Sequence, residues 1–365
     1  MLSLQCSTLA LEPLGSGCGW LCIAESLFEF KPHCVLVVST GGGGDVTSAL
    51  VLAGALGRTG VAVVTAVGVW ERFVRDPEPG PVPLESLVGV ERGEHVARLL
   101  RGCYAIRSGR YVLPSACNAL RVVDTTVYAV DMWRGSLGIA MALQELAGLH
   151  GCDAALVVDV GGDILASGCE KGLWSPLGDS VGLAGVLESG LPAVLAIHGL
   201  GADGELSEEE LLEKMALVAR QKGYRWIRGL DGEDVELLEK LITVVYTEAS
   251  RMPLLAVKGH YGRLSIRRGT RMVRISLVQA ATFFLDAVVA AEYTLAKLVR
   301  GTTSLEEARR RLNMAGVYTE LDLEEDLRMA GRGDPEAADP VKVREEGRQR
   351  LAPCIANRGQ LSPEQ

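Results

Sequence analysis

Short, continuous apolar runs rich in β-branched residues recur along the chain. Each is followed by glycines and then by a stretch of helical periodicity. Cys34 to Ser39 (CVLVVS) reads as a buried strand, followed by Thr40-Gly41-Gly42-Gly43-Gly44-Asp45 and a helix to about Leu56. Val61 to Val69 reads as the next strand. Ala154 to Val158 leads into Asp159-Val160-Gly161-Gly162-Asp163. Ala193 to Ile197 leads into His198-Gly199-Leu200-Gly201-Ala202-Asp203-Gly204-Glu205. Strands that are apolar at every position are covered on both faces, and their alternation with helices implies parallel crossovers. The pattern therefore predicts an α/β fold: a doubly wound, mostly parallel sheet with helices on both faces, Rossmann-like in arrangement.

Helix ends are legible as well. Ser207 with Glu210, and Ser304 with Glu307, have the spacing of capping boxes. Residues 136–149 are apolar nearly all round, which predicts a sandwiched helix, and 232–250 carries an ordinary core stripe. Arg75 to Pro83 holds four prolines in nine residues and reads as an exposed excursion. Gly262 to Ser276 alternates apolar and basic residues around Gly269, as a β-hairpin at the sheet edge or over the site would. Two stretches resemble membrane spans. Val46 to Trp70 is broken by Gly57-Arg58-Thr59-Gly60, and Met272 to Val299 carries Arg274, Asp286, Glu292 and Lys297, so it reads as a buried soluble helix. The expected organisation is one α/β domain over 1–330 and a polar, loosely ordered tail over 331–365.

Composition narrows the partners. Net charge is −9, so no basic face advertises nucleic acid or anionic lipid, and an anionic ligand must be held by local donors or a metal. Arg outnumbers Lys by 29 to 8, while Asn and Gln total 10. Scarce amide side chains fit a heat-adapted source, whereas the shortage of Lys does not. Nine scattered cysteines form no C-x-x-C pair, so no zinc motif is supported. They read as buried thiols of a reducing cytoplasm, with an occasional disulfide if the source is a hyperthermophile. Met1 to Leu14 lacks a basic leader, so no secretory signal is expected. Homo-oligomerisation stays open.

In an open parallel sheet, ligands bind beyond the carboxyl ends of the strands, at the switch point. The three Gly–acid loops should share that edge. Gly41, Gly42, Gly43, Gly44, Gly161 and Gly162 would let backbone N–H groups approach a phosphate or carboxylate, with a helix N-terminus behind them. The competing reading is that tight βα turns simply need glycine. The loops VVSTGGGGDV (37–46) and VVDVGGDI (157–164) echo each other, as two loops of similar role. Asp45, Asp159, Asp163, Asp203 and Glu205 form the candidate carboxylate set, with Asp124, Asp131 and Asp179 as further members. Carboxylate oxygens suit Mg²⁺ or Ca²⁺. Asp45 and Asp179 could instead favour helix N-termini, and Asp203 could be solvated. Asp159 directly follows an apolar strand, and with Asp163 it is the expected metal pair and catalytic pair.

Several chemistries are excluded. There is no P-loop and no G-x-S-x-G elbow. Val46 breaks the dinucleotide fingerprint after Gly41 and Gly43, and Glu71 alone keeps nicotinamide binding as an alternative. His198 ends a strand beside a glycine loop, so it is a candidate for proton transfer or a packed, hydrogen-bonded core residue. Arg134 could pair with an anion or with Asp131. Ser175, before a helix start, could face the ligand.

STGGGGDV, DTTVYAVD, VVDVGGDILASGCEKGLWSPLGDS and the IHGLGADGE loop resemble an uncharacterised, largely archaeal family catalogued as a domain of unknown function, of the DUF 1152 type. The likeness spans roughly residues 30 to 290. It implies a shared site and an intracellular archaeal origin, but no reaction. From the residues, the expected function is a Mg²⁺-assisted enzyme acting on a phosphorylated or other anionic small molecule. The alternatives are a nucleotide or metabolite sensor without catalysis, and a structural subunit whose glycine loops are only turns.

Overall fold

The computed structural model describes residues 21–39, 41–73 and 75–354. Its strands are β1 (Cys34–Ser39), β2 (Ala62–Gly68), β3 (Leu87–Arg92), β4 (Val96–Arg107), β5 (Arg110–Val112) and β6 (Val127–Val130). They continue with β7 (Ala154–Val160), β8 (Ala193–His198), β9 (Tyr224–Gly229), β10 (Gly262–Ile266), β11 (Arg271–Ile275) and β12 (Ala281–Asp286). The helices of the first half are α1 (Leu21–Phe28), α2 (Gly43–Gly57), α3 (Ser115–Ala119), α4 (Gly135–His150) and α5 (Pro176–Glu188). Those of the second half are α6 (Glu208–Arg220), α7 (Gly232–Val244), α8 (Arg251–Val257), α9 (Ala287–Ala291), α10 (Ala296–Val299), α11 (Leu305–Met314), α12 (Glu320–Ala330) and α13 (Pro340–Gln349).

The main sheet runs β3-β4-β6-β2-β1-β7-β8-β12-β9, with β5 beside β4. Its centre, β6-β2-β1-β7-β8, is parallel, and antiparallel strands flank it on both sides. Successive residues of a central strand feed opposite layers. Leu36 and Val38 pack in the layer with α4, α5 and α6, whereas Val35 and Val37 face α1 and α2. That two-sided burial is why these strands are apolar at every position. Each fully buried Leu or Val contributes roughly 1.5–3 kcal/mol. From β1 the chain crosses to β2 and then β6 on one side, and later returns to β7 and β8 on the other. The switch point therefore lies between β1 and β7.

The hairpin expected over 262–276 is present as β10–β11, a separate two-stranded sheet with its turn at 267–269. Four other expectations are corrected. Residues 272–299 form no single helix but β11, a 3-10 turn, β12, α9 and α10. There the sheet edge of β8 recruits Ala281–Asp286 by antiparallel pairing. Helix α4 is not sandwiched, for Leu137, Met141 and Leu149 face outward. The proline-rich stretch is not an exposed excursion, because the Arg107 guanidinium donates to the carbonyls of Glu78, Pro79, Gly80 and Pro81 and holds it down. Residues 331–354, expected to be loose, carry α13, which starts at an Asp339 cap and docks on the body through Arg344.

Three disulfides, Cys34–Cys152, Cys103–Cys117 and Cys169–Cys354, replace the free thiols expected for these six cysteines. The fold brings together residues 118, 14 and 185 positions apart, a proximity that spacing along the chain does not reveal. The N-terminal segment judged for a leader lies outside the described residues, as does Thr40. Among the described residues, no helix is long and apolar enough to cross a membrane.

Candidate functional site

The loops after β1, β7 and β8 meet at one edge of the sheet, around a pocket of about 680 Å³. Asp45 lies in the first turn of α2, and its Oδ1 accepts from the Val160 amide at 2.8 Å, which ties the two sides of the switch point together. Gly41 makes room for that carboxylate: a Cβ there would sit 1.6 Å from Asp45 Oδ2. Asp159 ends β7 and is 1% exposed, and Asp179 lies buried in the first turn of α5. One oxygen from each of Asp45, Asp159 and Asp179 lies within 4.8 Å of the others.

A second set, Asp163, Asp203 and Glu205, meets the same limit. The turn that separates the two sets needs glycine. Gly161 has φ +115°, and a Cβ there would lie 2.3 Å from the Asp203 carboxyl carbon. Glu205 accepts from the Trp174 and Ser175 amides at 2.6 and 3.0 Å and from Ser175 Oγ, with Arg271 at 2.9 Å. Burial opposes its charge, but Arg271 and these donors outweigh burial and hold Glu205 below its usual range. For Asp203 the relief from Arg271 and nearby backbone amides falls short. Burial, reinforced by the Glu205 charge, pushes it up to about 7, and both its carboxylate oxygens lack a hydrogen-bond partner. Burial likewise raises Asp45 to about 6. Burial and then neighbouring carboxylates raise Asp159, Asp163 and Asp179 well above the usual range.

Arginines share this pocket with the acids. Arg72, Arg75, Arg267, Arg268 and Arg271 line the pocket, the last three from the hairpin turn and β11. Arg72 Nη1 and Arg267 Nε are buried without hydrogen-bond partners. Helix α2 points its N-terminus at the same space, where the cap residue Gly42 provides no side-chain cap. Its first amides and its dipole are thus disposed toward an anion. Two buried glutamates of α12 close another side. Glu320 accepts from the Leu177 and Gly178 amides at 2.8 Å each, capping α5, and Glu324 accepts from Trp70 Nε1 and the Gly80 amide.

Most residues expected at the site are here. Gly42, Gly43, Gly44, Asp45, Asp163, Ser175 and Asp203 line the pocket, and Ser175 Oγ donates to Asp163 as well as to Glu205. Gly41, Gly161 and Gly162 lie behind this lining as spacers, with Gly162 at φ +108° packed on Leu211 and Ile197. Asp203 is buried, not solvated. Asp159 and Asp163, expected together, fall in the two different sets, each with two further acids.

Two placements are corrected. Arg134, 51% exposed, pairs with Asp131 and His95 and does not line the pocket, because its 3-10 turn follows β6, two strands away from β1 along the same sheet edge. His198 is fully buried and does not line the pocket. Its Nδ1 meets Thr282 Oγ1 at 2.8 Å, and burial pushes it down to about 4. Glu71 spends its carboxylate on the Ser115 amide and hydroxyl, at 2.6 and 2.9 Å. The sequence reading missed Arg72, Arg267, Arg268, Arg271, Glu320 and Glu324. The basic alternation of 262–276 pointed to the hairpin arginines. Nothing local marks the α12 glutamates, which reach the pocket only through packing.

The family described as "Protein of unknown function (DUF1152)" matches residues 36–328. No curated protein and no solved structure matches the chain.

Proposed function

The chain belongs to the DUF1152 family, which supplies no activity, and we propose from its own geometry that it is a divalent-cation-assisted enzyme acting on a phosphorylated small molecule. The observation that carries this reading is the presence of clustered buried carboxylates and five arginines around one pocket. Six acids held this close repel one another, and Mg²⁺ is the hard cation that an all-oxygen set suits. When bound, the cation supplies Lewis acidity toward a phosphate oxygen and lowers the pKa of a water. The chain does the rest. Arg72 and Arg267 pair only loosely with Glu320 and Glu248, at 3.8 and 3.9 Å, and Arg72 Nη1 and Arg267 Nε make no hydrogen bond. Both would therefore take up phosphate charge, to which the α2 N-terminus adds a fixed partial positive charge. Ser175 orients Asp163 and Glu205, and the proposed proton acceptors are Asp163, which lines the pocket, and Asp159, buried at the end of β7. A cytoplasmic, heat-adapted setting belongs to the same proposal, since intracellular disulfides are found in hyperthermophiles.

The test is a thermal-shift panel of Mg²⁺ and Mn²⁺, alone and with phosphomonoesters, followed by phosphate-release assays on each hit. A ligand at 100 times its Kd should add roughly 2.7 kcal/mol. We expect the cation to stabilise the wild type and at least one phosphorylated compound to be turned over. Binding without turnover would replace the enzyme by a ligand sensor. No response to any divalent cation would overturn the reading.

A further inference from the structure

We infer that the site takes two divalent cations, one held by Asp45, Asp159 and Asp179 and the other by Asp163, Asp203 and Glu205. This rests on the reading that these carboxylates bind a cation at all, and goes beyond it in number and position.

Three observations carry it. Each set is complete by itself, with three oxygens from three residues mutually within 4.8 Å. Oxygens around one Mg²⁺ are about 2.9 Å apart when adjacent and about 4.2 Å apart when opposite, so each set would close inward to share an ion. The sets also come from different elements. The first joins α2, the end of β7 and α5, and the second joins the turn after β7 to the loop after β8. Asp159 and Asp163 flank the Gly161-Gly162 turn, so the two seats are neighbours.

The third observation is independent of clustering. Asp203 is 6% exposed and lines the pocket, yet neither of its carboxylate oxygens has a hydrogen-bond partner. Buried carboxylates are ordinarily paired, and one left bare is destabilising. The Arg271 charge favours the Asp203 carboxylate but makes no hydrogen bond to it: the guanidinium donates to the Asp203 carbonyl at 3.1 Å and pairs with Glu205. An ion in the second seat would satisfy Asp203. An ion in the first seat alone would leave Asp203 bare, and one in the second alone would leave Asp45, Asp159 and Asp179 uncompensated. Asp159 in particular has only a long bond of 3.4 Å from the Ile164 amide.

Mn²⁺ titration of the full chain, read by equilibrium binding and by electron paramagnetic resonance, tests this. The wild type should bind two Mn²⁺ per chain and show the spectrum of a coupled pair. Asp203→Asn should bind one and show the spectrum of isolated Mn²⁺, and Asp179→Asn should likewise lose one while keeping the other. Circular dichroism and melting would verify that each variant folds, with Glu205→Gln as the second probe of the second seat. One Mn²⁺ in the wild type, or two retained in Asp203→Asn, would overturn the two-seat arrangement and leave the proposed function standing. No Mn²⁺ at all would overturn both.

Discussion

At Gly161 the volume that a side chain would fill belongs to the Asp203 carboxylate, and at Gly41 it belongs to that of Asp45. These two glycines are therefore spacers for acids before they are cradles for a ligand. Gly161→Ala should strain a left-handed residue and displace Asp203, costing on the order of 1–3 kcal/mol in denaturant unfolding and weakening the cation response. Gly42 differs, with φ −79° and only the Trp70 carbonyl, 3.5 Å from an added Cβ. Gly42→Ala should leave stability within about 0.5 kcal/mol of wild type and reduce phosphate affinity in the presence of Mg²⁺. Unchanged affinity would remove the α2 amides from the site. Gly43 is a poor probe, since a Cβ there meets Ser115 Oγ at 2.7 Å and would perturb packing whatever the loop binds. Asp159→Asn keeps the shape and removes a charge that burial and its neighbours disfavour. Stability without cation should rise or stay level while cation-dependent stabilisation disappears. Lost stability with the cation response intact would make Asp159 a structural residue.

Among the elements, the C-terminal segment most changes the picture of the site. Glu336, Ala338, Asp339 and Pro340 line the pocket mouth, and the Arg344 guanidinium lies 4.5 Å over the Trp174 ring. The Cys169–Cys354 disulfide pins this segment to the loop that leads to Trp174 and Ser175. Crosslinks that close long loops restrict the unfolded chain most, so Cys354→Ser should cost about 2–5 kcal/mol. Hydrogen exchange should then show early loss of protection in α13, before the central strands. Stability and protection equal to wild type would mean that the crosslink contributes nothing in solution. Helix starts were readable because a cap is local: Ser207 and Glu210 form the expected reciprocal box. At Ser304 only half of it forms, since the Glu307 carboxylate turns instead to Thr303.

For the whole molecule, the excess of acid is concentrated where the sheet reverses direction, and its titration has a definite sign. Asp45 and Asp203 are raised to about 6 and about 7, so the folded state without cation holds protons that the unfolded chain has already released. Their contribution to stability is therefore lost as pH rises from about 4 to about 7. A cation displaces those protons, so Mg²⁺-dependent stabilisation should grow between about pH 5 and pH 8. Melting temperatures with and without Mg²⁺ across that range would show it, and an increment independent of pH would exclude these carboxylates as ligands. Glu170 runs the other way. Burial opposes its charge, but Lys214 at 2.5 Å and the Ser167 donors overcome this and hold it at about 2, so its contribution is full above about 4.5 and lost as pH falls toward 2. By itself the sequence determined the α/β class, the central buried strands, the hairpin and the meeting of three Gly–acid loops, because periodicity, caps and turn residues act over a few positions. Only the tertiary structure decided that Asp159 and Asp163 part into separate sets, that Asp179 and Glu205 complete them, and that arginines from 72 and 267–271 share their pocket. It also decided that Arg134 and His198 stand apart, that six cysteines pair, and that the C-terminal segment docks at the pocket. Those outcomes join residues far apart in the chain, 185 positions for Cys169 and Cys354 alone, and what joins them is packing, which leaves no local pattern in the chain.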